Sequence, residues 1–174
     1  MRPPDGLLAQ YVGLFEKLGG PVLDVACGDG HNGIFLASKG CEVVLADVSG
    51  EALQQAGALA GEHGAKVFLW QVDLEKGDAN PFQDNAYDAI LVFRYLHRPL
   101  MPCIQKALKK NGIILYETFT VDQPRFGKPR NPDFLLEHGE LQKWFEGWEV
   151  IFQFDGILGE PERAVAQMVC RKTC

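Results

Sequence analysis

Short, nearly unbroken apolar runs alternate with longer stretches in which apolar residues recur every three or four positions. The runs at 21–26, 41–47, 66–73, 87–93 and 113–119 read as β-strands. The stretches 7–18, 31–39 and 50–63 read as helices, closed by glycines at 19–20, 40 and 64. A fourth helix is expected from the prolines at 99 and 102 to Lys110, with Lys109 and Lys110 at its carboxyl end, where the dipole favours cations. The segment 75–85 is polar, contains Pro81 and is expected as loop with at most one helical turn. Segment 134–145 is expected to be helical. Segments 148–155 and 164–171 read as strands, and 156–162 between them is too short for a crossover helix, so they must pair antiparallel.

Strand and helix thus alternate five times before a terminal hairpin. Near-continuous apolar strands are what a sheet covered on both faces needs. The expected fold is α/β: a doubly wound, mostly parallel seven-stranded sheet with a C-terminal antiparallel hairpin and helices on both faces, Rossmann-like. Its ligand crevice should lie at the carboxyl ends of the first strands. One domain over 1–174 is expected, with an N-terminal helix within 1–20 and the proline-rich segment 120–132 as a candidate lid or substrate loop.

Composition narrows the function without naming it. The chain has 174 residues, 47% hydrophobic and 23% charged, with net charge -6. An acidic balance argues against a nucleic-acid partner, because phosphate binding needs a basic face. Five cysteines, an odd number without C-x-x-C spacing, argue against a disulfide framework or a zinc site and for a reducing, cytoplasmic compartment. The first ten residues lack the apolar run of a signal peptide, and no stretch approaches the ~20 apolar residues of a membrane span. No metal and no membrane are expected, and the oligomeric state is open.

Gly28, Gly30 and Gly33 match G-x-G-x-x-G between the first strand and the following helix. That spacing also fits enzymes that set a dinucleotide pyrophosphate on a helix N-terminus. Three features favour S-adenosylmethionine (SAM) over NAD. Asp24 stands near the end of the first strand, where a carboxylate suits an ammonium and repels a pyrophosphate. Asp47 ends the second strand, where it can accept from ribose hydroxyls, a feature shared with NAD sites. The terminal hairpin leaves no room for a catalytic domain beyond the sheet. The same glycines could serve only to pack helix on strand, and Cys27 beside them reads as a small buried residue.

The segment from Asp24 through Ala26, Gly28 and Gly30 resembles the first motif of class I SAM-dependent methyltransferases, and the resemblance continues through Asp47, Asp73 and Leu74 and the terminal hairpin. It departs at Ala26, where glycine is frequent. It implies that Gly28 and Gly30 admit the methionyl part of SAM, which Asp24 helps to hold. It implies that Asp47, with Val48 beside it, holds the ribose, and that Asp73 and Leu74 meet the adenine. It places Phe93, with Arg94 after it, on the methionyl side. Segments 95–100, 117–119 and 131–136 are similar to small bacterial methyltransferases grouped with the tellurite-resistance methyltransferases; tellurite is not carried over as substrate.

Acceptor chemistry should come from loops above the same sheet edge. Segment 94–98 holds Arg94, Tyr95, His97 and Arg98. Segment 118–130 holds Arg125, Lys128 and Arg130 against Asp122 alone. Arginine reads carboxylates and oxyanions through its planar fork. His97 is therefore the candidate general base or orienter, with Arg98 and Arg130 as anion clamps, for a small anionic acceptor such as a thiol, a carboxylate or an oxyanion. A solvated basic loop and a helix-capping histidine are the plain alternatives. Glu117 could bind an acceptor amine or cap the loop, and Phe126 could face the acceptor, whereas Trp144, Phe145 and Trp148 read as core. The place after the fourth strand lacks the Asn/Asp-Pro-Pro-Tyr/Phe pattern of amino-methylating nucleic-acid enzymes. A methyltransferase acting on a macromolecule and a non-catalytic SAM-binding module remain the alternatives.

Overall fold

The computed structural model describes residues 2–77 and 80–174. The apolar runs become seven strands: β1 Val22–Val25, β2 Val43–Asp47, β3 Val67–Gln71, β4 Tyr87–Phe93, β5 Leu108–Phe119, β6 Glu149–Leu158 and β7 Arg163–Arg171. They form one sheet in the order β3-β2-β1-β4-β5-β7-β6. The first five strands run parallel, and β7 is antiparallel to both β5 and β6. This is the doubly wound, mostly parallel sheet with a terminal antiparallel hairpin that the sequence implies.

Among the described residues five α-helices cover the sheet: α1 Gly6–Tyr11, α2 His31–Ser38, α3 Gly50–Glu62, α4 Met101–Ala107 and α5 Glu140–Trp144. Successive strand residues point to opposite faces, so each strand feeds two cores. On β1, Val22 joins Leu8, Ile34 and Leu53 beneath α1, α2 and α3. Its neighbours Leu23 and Val25 join Ile104, Leu141 and Phe145 beneath α4 and α5. All four β1 residues are buried, which is why the strand reads as a run and not an alternation. At the sheet edge β3 is exposed at Phe68 and Leu69.

Tertiary contacts redraw four local expectations. The first helix ends at Tyr11 and tightens into a 3-10 turn over Val12–Phe15. The fourth helix stops at Ala107, so Lys109 and Lys110 lie in β5 and not at a helix end. The cation at that end comes from the far side of the chain: Lys172 Nζ donates to Gln105 O and Leu108 O at 2.8 and 2.7 Å. Lys109 instead pairs with Asp88 at 2.6 Å. β5 kinks at Asn111, whose φ is 66°, and its pairing with β4 slips there.

The helix expected over 134–145 is reduced to α5, behind Gly139 with φ 77°. Leu135 and Leu136 are buried in extended backbone instead, and Leu136 N–H donates to Phe119 O at 2.9 Å, prolonging the sheet edge beyond β5. The strands of the hairpin reach beyond the expected bounds: β6 runs on to Leu158 and β7 begins at Arg163, leaving only 159–162 between them. The described part of the loop expected over 75–85 carries no helix; Asp78 and Ala79 lie outside the described residues.

The crevice falls where the strand order reverses, between β1 and β4. The carboxyl ends of β2, β4 and β5 stand on that same edge: Asp47 pairs with Gln71, and Phe93 with Glu117. No helix among the described residues is long and apolar enough to cross a membrane.

Close approach of α2 to the sheet depends on Gly33. A Cβ there would come within 3.0 Å of Val43 Cγ1 and Asp24 Oδ2 and would collide with Leu45. Gly33→Ala should therefore destabilise the protein by about 1–3 kcal/mol through overpacking. A urea midpoint unchanged from wild type would show that α2 can lift off without cost.

Candidate functional site

The turn from β1 into α2 is built from residues that tolerate left-handed backbone. Ala26, Gly28 and Gly30 have φ of 51°, 56° and 69°. The left-handed φ at Ala26 explains why glycine suits this position; alanine carries on the order of 1–2 kcal/mol of backbone strain there. The three glycines have different reasons to be glycine. A Cβ on Gly30 would press on Ala56 and Leu45 at 3.0 Å, and Gly33 is packed as described. A Cβ on Gly28 would meet nothing within 4 Å. Gly30 and Gly33 therefore serve packing, and only Gly28 has open space before it.

Two carboxylates lock the turn. Asp47 Oδ2 accepts from Gly28 N–H at 2.8 Å, and its Oδ1 accepts from Ser49 N–H at 2.9 Å. A carboxylate offers about four acceptor positions, so two remain for a ligand. Asp24 faces beneath α2, only 3% exposed, and accepts from Gly33 N–H at 3.0 Å. Burial pushes its carboxyl up to about 7, against the lowering effect of that hydrogen bond. It shapes the turn from below and does not line the open cleft.

That cleft, of about 310 Å³, is lined by Ala26, Asp47, Val48, Asp73, Leu74 and Tyr95 among others. Six of the sequence candidates thus meet along one groove or at the turn above it: Ala26, Gly28, Asp47, Val48, Asp73 and Leu74. Asp73 Oδ1 is held by Glu75 N–H at 3.0 Å. Phe93 departs from expectation. Its side chain is 7% exposed and packs in the core beneath α1 and α2, on the other face of the sheet.

A second cleft, of about 570 Å³, opens beside the first and shares Glu75 and Tyr95 with it. Its walls include Leu96, Phe119, Pro129 and Phe134, with Arg94, Thr118 and Lys128. The Tyr95 hydroxyl is buried without a hydrogen-bond partner among the described residues. Burial first, then the neighbouring Glu75 carboxylate, raise its pKa.

The three candidate catalytic residues do not come together here. His97 sits at the start of a 3-10 turn and lines two other hollows with Pro99. Arg98 is committed to the chain itself. It grips Glu140 through Nε at 2.6 Å and Nη2 at 2.9 Å, and donates to Leu135 O at 2.9 Å and Asp133 O at 3.3 Å. The Glu140 bonds hold its guanidinium charged and engaged, so the clamp role drawn from sequence gives way to a structural one. Arg130 is exposed and lines neither cleft. Glu117 is 3% exposed and bonds Gln167 Nε2 at 2.5 Å; burial raises its pKa against that bond. It faces neither an amine site nor the loop.

A network that the sequence did not announce ties the N-terminus over the turn. Arg94, with φ 55°, forms a two-pronged pair with Asp5, both bonds 2.8 Å. Asp5 Oδ2 also meets His31 Nε2 at 3.1 Å and Asn32 Nδ2 at 2.8 Å. His31 Nδ1 meets Asp29 at 2.6 Å. Burial opposes the charge on Asp5, but His31, Arg94 and Asn32 together hold its carboxyl far below the usual range. Burial likewise opposes protonation of His31, and its two carboxylate partners raise its pKa regardless. Asp5 and Arg94 are 89 residues apart, so no local pattern could reveal the pair.

Comparison with known proteins agrees with this geometry. The model of a methyltransferase-domain family matches residues 22–112, over half of the chain. The probable S-adenosyl-L-methionine-dependent methyltransferase TehB of Haemophilus influenzae is 26% identical over 148 residues, covering 80% of this chain and 49% of that protein. The chain thus spans about half the length of the curated relatives it matches. The crystal structure of TehB from Haemophilus influenzae superposes with a TM-score of 0.76 at 20% identity, over 95% of this chain and 62% of that one. The [4+2]-cyclase SpnF superposes at 0.73 with 19% identity, over 97% of this chain and 79% of its own. At such identities the superpositions establish the fold, and a fold does not by itself fix a reaction. The chain belongs to the methyltransferase-domain family, in its class I, SAM-dependent branch.

Two outcomes follow from the charges. The Asp24 carboxyl is raised by folding from 3.8 to about 7, so the folded state holds the proton more tightly. Its contribution to stability should be full below about pH 4 and fall as pH rises toward 7. Asp24→Asn should gain urea resistance relative to wild type at pH 7.5 but not at pH 4.5; equal differences at both pH values would refute the assignment. Arg98→Met should cost about 1 kcal/mol, the upper range for a partly exposed pair. Calorimetry should then show SAM affinity within about twofold of wild type, and a severe loss would return Arg98 to the binding site.

Proposed function

We propose that this methyltransferase domain transfers the methyl group of SAM to a small, anionic acceptor held in the larger cleft. The observation that carries the reading is the open face of Gly28 above a groove whose carboxylate, Asp47, already holds the turn and keeps two acceptor positions free. When bound, SAM supplies an electrophilic methyl on a sulfonium. In this reading Asp47 accepts from the ribose hydroxyls, with Val48 beneath the ring. Asp73 and the Leu74 backbone take the adenine end. Ala26 and Gly28 let the backbone approach the methionyl end, while Gly30 lets the turn pack closely on Ala56 and Leu45 behind them. Asp24 accepts from Gly33 N–H below the turn and so holds the backbone that would meet the methionyl end.

Displacement at a methyl group needs an aligned nucleophile in a dry site, so proximity carries much of the rate. Glu75 and Tyr95 stand at the shared end of the two clefts and would frame the line of attack. Arg94 is held by Asp5 on the wall of the acceptor side. His97, in a hollow beside the cleft, remains the candidate orienter of the acceptor, and Arg130 remains a candidate outer clamp on the basic loop. A cleft of hundreds of cubic ångströms supports a small-molecule acceptor over a macromolecule.

Titration calorimetry with SAM and NAD tests the reading. Wild type should bind SAM and not NAD. Asp47→Ala should weaken SAM about tenfold or more, since it removes charge-assisted bonds and the anchor of Gly28 together. NAD binding without SAM binding would overturn the proposal.

A further inference from the structure

The larger cleft is the wrong shape and chemistry for an inorganic oxyanion. At about 30 Å³ per water, an oxyanion of four or five heavy atoms fills on the order of 100 Å³. The cleft offers about 570 Å³, a size that suits an organic ligand. Its walls are mostly apolar and partly aromatic: Leu96, Phe119, Pro129, Phe134 and the ring of Tyr95. Phe134 is 50% exposed, an unusual position for a phenylalanine without a partner surface. An oxyanion in such walls would exchange water for carbon and gain little.

The charges are not spread evenly around it. Arg94 is already neutralised by Asp5. Glu75 lies at the end shared with the donor groove, whereas Lys128 lines only the larger cleft. Lys128 is exposed and forms no ion pair among the described residues. Its backbone is fixed, since the Lys128 carbonyl accepts from the buried Gln123 amide at 3.0 Å. Asp122, which could oppose it on the same loop, is paired with His138 at 3.2 Å. The cleft therefore has a carboxylate and a phenol where it meets the donor groove, a cation on a part that the donor groove does not share, and otherwise mostly apolar walls.

We propose that the acceptor is an aromatic organic acid, its carboxylate read by Lys128 and its phenol or thiol presented between Glu75 and Tyr95; this rests on the methyl-transfer reading above. In the transfer, the phenol or thiol proton passes to the Glu75 carboxylate and on to solvent, to which Glu75 is exposed. The oxygen or sulfur lone pair forms the new bond to the methyl carbon as the carbon–sulfonium bond breaks. The released pair stays on sulfur, giving neutral S-adenosylhomocysteine and a methyl ether or thioether.

The test measures S-adenosylhomocysteine release with 4-hydroxybenzoate, 4-mercaptobenzoate, phenol, thiophenol, selenite and tellurite, beside SAM binding by calorimetry. At least one of the two acids should turn over, with a KM about tenfold below that of its neutral counterpart. Selenite and tellurite should release no more than the blank. Lys128→Gln should bring the acid and its neutral counterpart to the same KM with little change in kcat, and Lys128→Arg should restore the difference. If SAM binds but neither acid is methylated, or only the oxyanions are, the acceptor proposal falls and the methyl-transfer reading stands. If SAM does not bind, both fall.

Discussion

Everything at the crevice depends on one reversal of the chain, from β1 into α2, held by two buried or half-buried carboxylates. The chain must leave a fully buried strand and enter a helix packed on that same sheet within five residues. Left-handed backbone at Ala26, Gly28 and Gly30 makes the reversal possible. Asp47 grips the outer arm through Gly28 N–H, and Asp24 grips the inner arm through Gly33 N–H. Both bonds use backbone donors at a helix entrance that would otherwise lack acceptors. The same bonds leave the Gly28 face open, so the device that closes the fold also creates the groove.

A second layer of polar contacts closes over the first. Asp5, His31, Asn32 and Arg94 join the N-terminal segment, the start of α2 and the end of β4. These groups lie in three separate parts of the sequence and depend on one another for their charge states. The His31 pKa is raised, against burial, because Asp5 and Asp29 flank it, and Asp5 stays ionised because His31 and Arg94 surround it. A partly buried network of this kind rigidifies when complete and is costly when any member is lost. It fixes Arg94 on the wall of the larger cleft, with a backbone φ that most residues avoid.

Local arginine chemistry proved to be ambiguous in sequence and clear in space. Arg94, Arg98 and Arg130 look equivalent as basic residues near the active edge. Arg94 belongs to the N-terminal network, and Arg98 joins Glu140 to the backbone of 133–135. Arg130 is exposed beyond both clefts. The cation facing the larger cleft without an ion-pair partner among the described residues is Lys128, whose loop is anchored by the buried Gln123. Charge counting along the chain cannot make this distinction, because it cannot see which carboxylates arrive from elsewhere.

What the sequence determined by itself is the sheet and the groove. The strands inside the sheet, β1, β2, β4 and β5, read as apolar runs because both faces of a parallel sheet are buried there; β3 carries the same pattern at an exposed edge. Asp24, Gly28 and Asp47 were legible because the reversal they control is local or lies one strand away. The tertiary structure decided the rest. It melted the helix expected over 134–145 so that Leu135 and Leu136 could prolong the sheet edge, and it brought Lys172 rather than Lys109 to the end of α4. It turned Phe93 into the opposite core and gave Arg98 to Glu140. In each case the deciding contact joins residues tens of positions apart, and its energy belongs to the packed whole and not to any segment that a local pattern can report.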